Sequence, residues 1–72
     1  MKKAYYIAEI SLPNKSAYVQ HVLKMCDNLA NNFEITLFVI NHKANFKKLK
    51  KEYLLKNKFK IHALGKNFKN NL

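Results

Sequence analysis

Ser11-Leu-Pro-Asn-Lys-Ser-Ala-Tyr-Val-Gln-His-Val-Leu-Lys-Met-Cys-Asp-Asn-Leu-Ala30 reads as a loop that opens a helix. Pro13 has no amide to give to a sheet ladder and argues against a continuing strand, so Ser11 to Lys15 is predicted to be loop. Ser16 is the expected N-cap, with Asn14 as its rival. From Ala17 to Ala30 the apolar residues Val19, Val22, Leu23, Cys26, Leu29 and Ala30 recur at helical spacing, widened by Tyr18 and Met25. Gln20, Lys24, Asp27, Asn28 and Asn31 take the other side. Asn31-Asn32 stops the helix, since asparagine tolerates the left-handed conformation common after helix ends.

Outward from this stretch lie two strand candidates. Ala4 to Ile10 precedes it and Phe33 to Ile40 follows it, and both are apolar on both alternating faces. Such strands belong to parallel sheets covered on both sides. Asn41 to Ala44 is predicted to be a turn. Asn45 caps a second helix from Phe46 to about Lys56, with Phe46, Leu49 and Tyr53 inward. Phe59 to Leu64 then alternates, with Phe59, Ile61 and Ala63 inward and Lys60 and His62 outward, as an edge strand would. Residues 65–72 form a polar tail. The expected fold is therefore α/β: a partial Rossmann-like parallel sheet, β-α-β-α-β, in strand order 3-2-1. Right-handed crossovers place both helices on one face. That leaves the other face uncovered, so residues 1–72 are expected to be the first half of a larger Rossmann-like domain.

The chain has 72 residues and a formal net charge of +10, from 14 basic residues against 4 acidic ones. Every basic residue is lysine. Such charge favours anionic partners: phosphates or acidic membrane surfaces. The absence of arginine, the better residue for bidentate phosphate and guanine contacts, argues against sequence-reading nucleic-acid recognition. The single cysteine excludes an intrachain disulfide and fits a reducing compartment. The longest strongly apolar run, Ile35 to Ile40, is far short of the roughly 20 residues a spanning helix needs. Met1-Lys2-Lys3 with the apolar residues after it superficially resembles a signal peptide, but Glu9 and Pro13 interrupt it too early.

Chemistry-bearing residues are sparse. The loop Pro13, Asn14, Lys15, Ser16 and Ala17 follows the first strand, where open α/β sheets bind ligands. The helix start behind it suits phosphate. Against this stands a plain connecting loop, because neither G-x-G-x-x-G nor a Walker sequence is present. Glu9 sits at a strand end, where a solvated or ion-paired carboxylate is the commoner state. His21, His42 and His62 fall in different elements without metal-ligand spacing. Cys26 lies in the apolar stripe, which suits a structural thiol better than a nucleophile. Lys47, Lys48, Lys50, Lys51, Lys56, Lys58 and Lys60 form a solvated face, whose functional alternative is contact with anionic lipid or nucleic acid. The residues themselves suggest no catalytic group, metal or cofactor.

From Pro13 to Leu37 the chain resembles the N-terminus of the group 1 retaining glycosyltransferases of GT-B architecture. The resemblance rests on the strand Ala4-Tyr-Tyr-Ile-Ala8, the loop Pro13-Asn-Lys-Ser-Ala17, the helix His21-Val-Leu-Lys-Met-Cys-Asp-Asn-Leu-Ala30 and the strand Glu34-Ile-Thr-Leu37. Leu49-Lys-Lys-Glu-Tyr53 and Phe59-Lys-Ile61 are similar to the second helix and third strand of some members. Many members carry Gly-Gly in the first loop, where this chain has Ser16-Ala17. The resemblance implies an enzyme that moves a sugar from a nucleotide-sugar donor to a glycan or lipid-linked acceptor. It also implies a cytoplasmic location, peripheral at the inner membrane surface. Pro13 to Ala17 would then contribute the acceptor-side wall and part of a phosphate loop. The family's catalytic and donor-sugar residues lie further on, so the isolated chain is expected to be inactive. Two other readings compete. One is a small basic protein that binds nucleic acid or an anionic membrane surface. The other is a different flavodoxin-like or Rossmann-like module, which would want an acidic cluster that this sequence lacks.

Overall fold

The computed structural model describes residues 1–43 and 45–65. The elements run β1 (Lys2–Ile7), β2 (Ser11–Leu12), α1 (Ala17–Leu29), β3 (Phe33–Val39), β4 (Asn41–His42), α2 (Phe46–Glu52) and β5 (Lys60–Ala63). The fold is mixed α/β. A three-stranded sheet has the order β1-β3-β5, and both of its pairings are parallel. A second, two-stranded parallel sheet pairs β2 with β4.

This corrects the expected β-α-β-α-β succession and its 3-2-1 numbering. Two short strands, placed by sequence in a loop and a turn, enter the chain order, and the main sheet reads β1-β3-β5. The physical cause is a kink. Between the pair Ile7↔Phe38 and the pair Ser11↔Asn41, the first chain takes one more residue step than its neighbour. The Ile10 amide donates to the Ala8 carbonyl at 2.9 Å, closing a tight turn around Glu9 that absorbs the extra residue. Backbone pairing runs up to this turn and continues beyond it. Ala8 N–H donates to Phe38 O at 2.9 Å, Ile40 N–H to Ile10 O at 2.8 Å, and Lys43 N–H to Leu12 O at 2.9 Å. The first strand is thus shorter than expected at its end, and pairing carries on almost to Pro13.

Helix α1 forms where its periodicity places it. Ser16 is extended (φ −63°, ψ 151°), and its Oγ accepts the Val19 amide at 3.2 Å. Val19, Val22, Leu23 and Cys26 are buried. They meet Ile35, Leu37 and Val39 of β3 in one core that also takes Leu49 from α2 and Tyr53, Leu55 and Phe59 beyond it. Both helices therefore cover the same face of the sheet. Three residues depart from the expected pattern: Tyr18 and Leu29 are exposed, whereas Asp27, expected outside, is buried.

Helix α2 stops at Glu52 instead of continuing to Lys56. Its end is a Schellman turn: the Leu55 amide donates to the Lys50 carbonyl at 2.9 Å, and Leu54 between them is left-handed at φ 56°. Leu55 is buried, supplying the apolar contact that accompanies this motif. Strand β5 lies at the sheet edge, with Ile61 half-buried and Lys60 and His62 exposed. Ala63, expected inward, is exposed. Of the expected polar tail, only Gly65 is among the described residues. Its amide donates to Ile40 O at 2.9 Å, and its φ of 86° suits a residue without Cβ.

Candidate anion-binding cleft

The parallel pair β2/β4 delivers two chain segments side by side at its carboxyl end. Pro13 follows Leu12 and Lys43 follows His42, and the Lys43–Leu12 hydrogen bond holds the two exits together. Each segment then turns into a helix. On the first, the Asn14 side chain accepts the Ser16 amide at 2.9 Å, and Ser16 in turn caps α1. On the second, Asn45 caps α2 by accepting the Lys48 amide at 2.8 Å. The hydroxyl of Tyr53, at the end of α2, donates to the Asn14 carbonyl and ties the loop to the second helix. Gln20 Nε2 donates to the Lys15 carbonyl at 3.2 Å, fixing the loop from the α1 side.

Between these segments lies an open cleft of about 640 Å³ lined by Pro13, Asn14, Lys15, Lys43, Asn45, Lys48 and Glu52. Three lysines from three segments line it, with a single acidic residue, Glu52. An anion is the ligand class such a wall attracts, by Coulomb energy and charge-assisted hydrogen bonds. The lysines are exposed, so the attraction weakens with salt. The amides of Ala17 and Tyr18 lead α1 and belong to the group that an α-helix leaves without intrahelical acceptors.

Of the five residues expected at the site, Pro13, Asn14 and Lys15 line the cleft. Ser16 is occupied as a cap, and Ala17 stands exposed at the first helical position. Sequence reasoning missed Lys43, Asn45, Lys48, Glu52 and Tyr53. A signal for Lys43 was available: it follows the strand adjacent to the first in a parallel sheet, so it leaves the sheet at the same end as Pro13.

Other reactive groups stand apart. Cys26 is buried, and burial pushes its thiol up to about 11, which keeps it protonated near neutrality. His42 lines a different cavity, of about 480 Å³, with Phe38, Phe46, Phe59 and His62. Its buried Nδ1 has no hydrogen-bond partner among the described residues, and desolvation lowers its pKa. Among the described residues no cluster of His, Cys, Asp and Glu could hold a metal ion, and no helix is long and apolar enough to cross a membrane. The arrangement can bind and orient an anion. No protein-family model, curated protein or solved structure matches the chain.

Proposed function

We propose that the chain is the N-terminal part of a Rossmann-like domain of a sugar-nucleotide-dependent glycosyltransferase, and that its cleft receives a phosphate group of the donor or of a lipid-linked acceptor. The carrying observation is the convergence of Lys15, Lys43 and Lys48 at the carboxyl end of paired parallel strands, the position where open α/β sheets take ligands. The motifs that resemble the group 1 glycosyltransferases fall on β1, the loop, α1 and β3 in the order the family has them. In this reading the chain binds and positions. Lys15, Lys43 and Lys48 neutralise the phosphate, and transfer itself needs groups outside this chain. The site of action is the cytoplasmic membrane surface, where lipid-linked acceptors reside.

Titration of the isotopically labelled chain with uridine diphosphate and, separately, with pyrophosphate tests this. Resonances of Asn14, Lys15, Lys43 and Lys48 are expected to shift, and binding is expected to weaken as salt rises. Lys43→Ala with Lys48→Ala is expected to lower affinity several-fold. Unchanged resonances at these residues, or unchanged affinity in the double variant, overturn the reading. Turnover of a nucleotide-sugar by the isolated chain, lost on changing one of its own residues, overturns the division of labour.

One observation favours membrane contact as a second reading. Lys47, Lys50 and Lys58 surround the half-buried ring of Phe46 in a shallow depression, a basic surface with an apolar centre. Co-sedimentation with phosphatidylserine vesicles, and none with phosphatidylcholine vesicles, is the outcome it requires.

A further inference from the structure

The loop that carries Lys15 is held by its carbonyls. Those of Leu12 and Ser16 accept the amides of Lys43 at 2.9 Å and Gln20 at 3.1 Å. Those of Asn14 and Lys15 accept side chains, the Tyr53 hydroxyl and Gln20 Nε2. Both bonds from Gln20 come from α1, the helix the loop leads into. The other two come from distant chain: Lys43 fixes the start of the loop, and Tyr53 fixes it next to Lys15. Tyr53 directly follows α2, and α2 carries Lys48. The Tyr53–Asn14 bond therefore links the backbone beside Lys15 to the helix that supplies another lysine of the cleft.

Lys15 has two places to go. Besides the cleft it lines a second depression, of about 400 Å³, with Gln20, Lys24, Glu52, Tyr53 and Leu54. Glu52 lines both and attracts an ammonium in either. A lysine on a loose loop divides its time between the two, and ordering it on a ligand then costs binding free energy. One exposed ion pair is worth little, so the cleft depends on several lysines meeting one anion together.

The tie is separable from packing. The Tyr53 side chain is 8% exposed and belongs to the core. Phenylalanine fills the same space with no hydroxyl to desolvate, so what the hydroxyl adds is its bond to the loop.

We propose that Tyr53 is a positioning residue for anion binding: its hydroxyl, by holding the Asn14 carbonyl, keeps Lys15 on the side of the cleft that Lys43 and Lys48 line. The inference rests on the reading of the cleft as an anion site.

Pyrophosphate titrations of the isotopically labelled chain test it as a double-mutant cycle. Tyr53→Phe is expected to keep the fold and to weaken binding at least about three-fold. In a Lys15→Ala background it is expected to weaken binding no further, whereas in a Lys43→Ala background its full factor remains. A structural role alone adds equally in both backgrounds. Without ligand, backbone nitrogen relaxation is expected to show greater motion at Lys15 in Tyr53→Phe and none added at Lys48. Wild-type affinity in Tyr53→Phe, a loss that adds in full to that of Lys15→Ala, or unchanged relaxation at Lys15 overturns the positioning role and leaves the cleft standing. Pyrophosphate that shifts none of Lys15, Lys43 and Lys48 in the wild type overturns the anion site, and the positioning role with it.

Discussion

Asn57 is held by Asp27 from both sides of its own residue: its amide donates to Asp27 Oδ1 at 2.7 Å, and its side-chain Nδ2 donates to the Asp27 carbonyl at 2.9 Å. The same carboxylate accepts the Lys56 amide, at 2.9 Å to Oδ2. Asp27 is buried near the end of α1, and the segment it holds is the connection from α2 to β5. A single carboxylate thus anchors backbone that neither helix nor sheet serves. Asp27→Ala leaves the two amides without that acceptor and is expected to cost about 2–3 kcal/mol, the range for losing charge-assisted hydrogen bonds at a buried site. Urea unfolding of the two proteins measures it, and a loss below about 0.5 kcal/mol contradicts the anchoring role.

Leu54 offers the opposite case, a residue whose replacement is expected to help. It is left-handed, 75% exposed, and sits at the position of a Schellman turn that glycine prefers. Leu54→Gly relieves the Cβ conflict and is expected to stabilise by about 0.5–1 kcal/mol after the entropy cost of glycine. The Lys24 ammonium, which donates to the Leu54 carbonyl at 3.2 Å, keeps its acceptor in the variant. A lower midpoint in chemical denaturation contradicts the assignment of strain to this position.

Ser16 separates stability from ligand binding. Ser16→Ala removes the acceptor of the Val19 amide and is expected to cost about 1 kcal/mol, while Ser16→Asp retains the cap. Neither substitution alters the lysines of the cleft. Uridine diphosphate affinity measured well below the melting temperature is therefore expected to survive Ser16→Ala. A loss of affinity without a loss of stability places the hydroxyl on the ligand instead.

His42 makes stability depend on pH. Burial lowers its pKa below the ordinary value of 6.5, so the unfolded chain binds a proton more readily than the folded one. The His42 contribution is complete above about 6.5 and is lost as pH falls through the interval down to the lower folded value. Thermal melts of wild type and His42→Gln between about pH 5 and pH 8 isolate it. The wild type is expected to lose more stability on acidification than the variant. Parallel curves contradict a desolvated imidazole.

Much of this architecture follows from local pattern. The stripe Val19, Val22, Leu23 and Cys26 has a period that only a helix satisfies, and Ile35, Leu37 and Val39 have one that only a strand satisfies. Ser16 and Asn45 act as caps because a short side-chain oxygen next to a helix start reaches the free amides without help from elsewhere. Two-faced apolar strands joined by a helix imply parallel pairing, and that in turn placed Pro13, Asn14 and Lys15 at the carboxyl end of the strands. Tertiary contacts decided the rest. β2 and β4 are strands only because each has the other beside it, and two residues carry no periodicity to read. The end of α2 at Glu52 depends on burying Leu55 and on Asp27 receiving the amides that follow, and leucine at the left-handed position announces neither. The cleft itself unites residues from 13 to 52 through pairing and through the Tyr53–Asn14 bond. Side-chain periodicity is a property of neighbours along the chain, whereas the position of a lysine opposite another is set by which strands lie side by side.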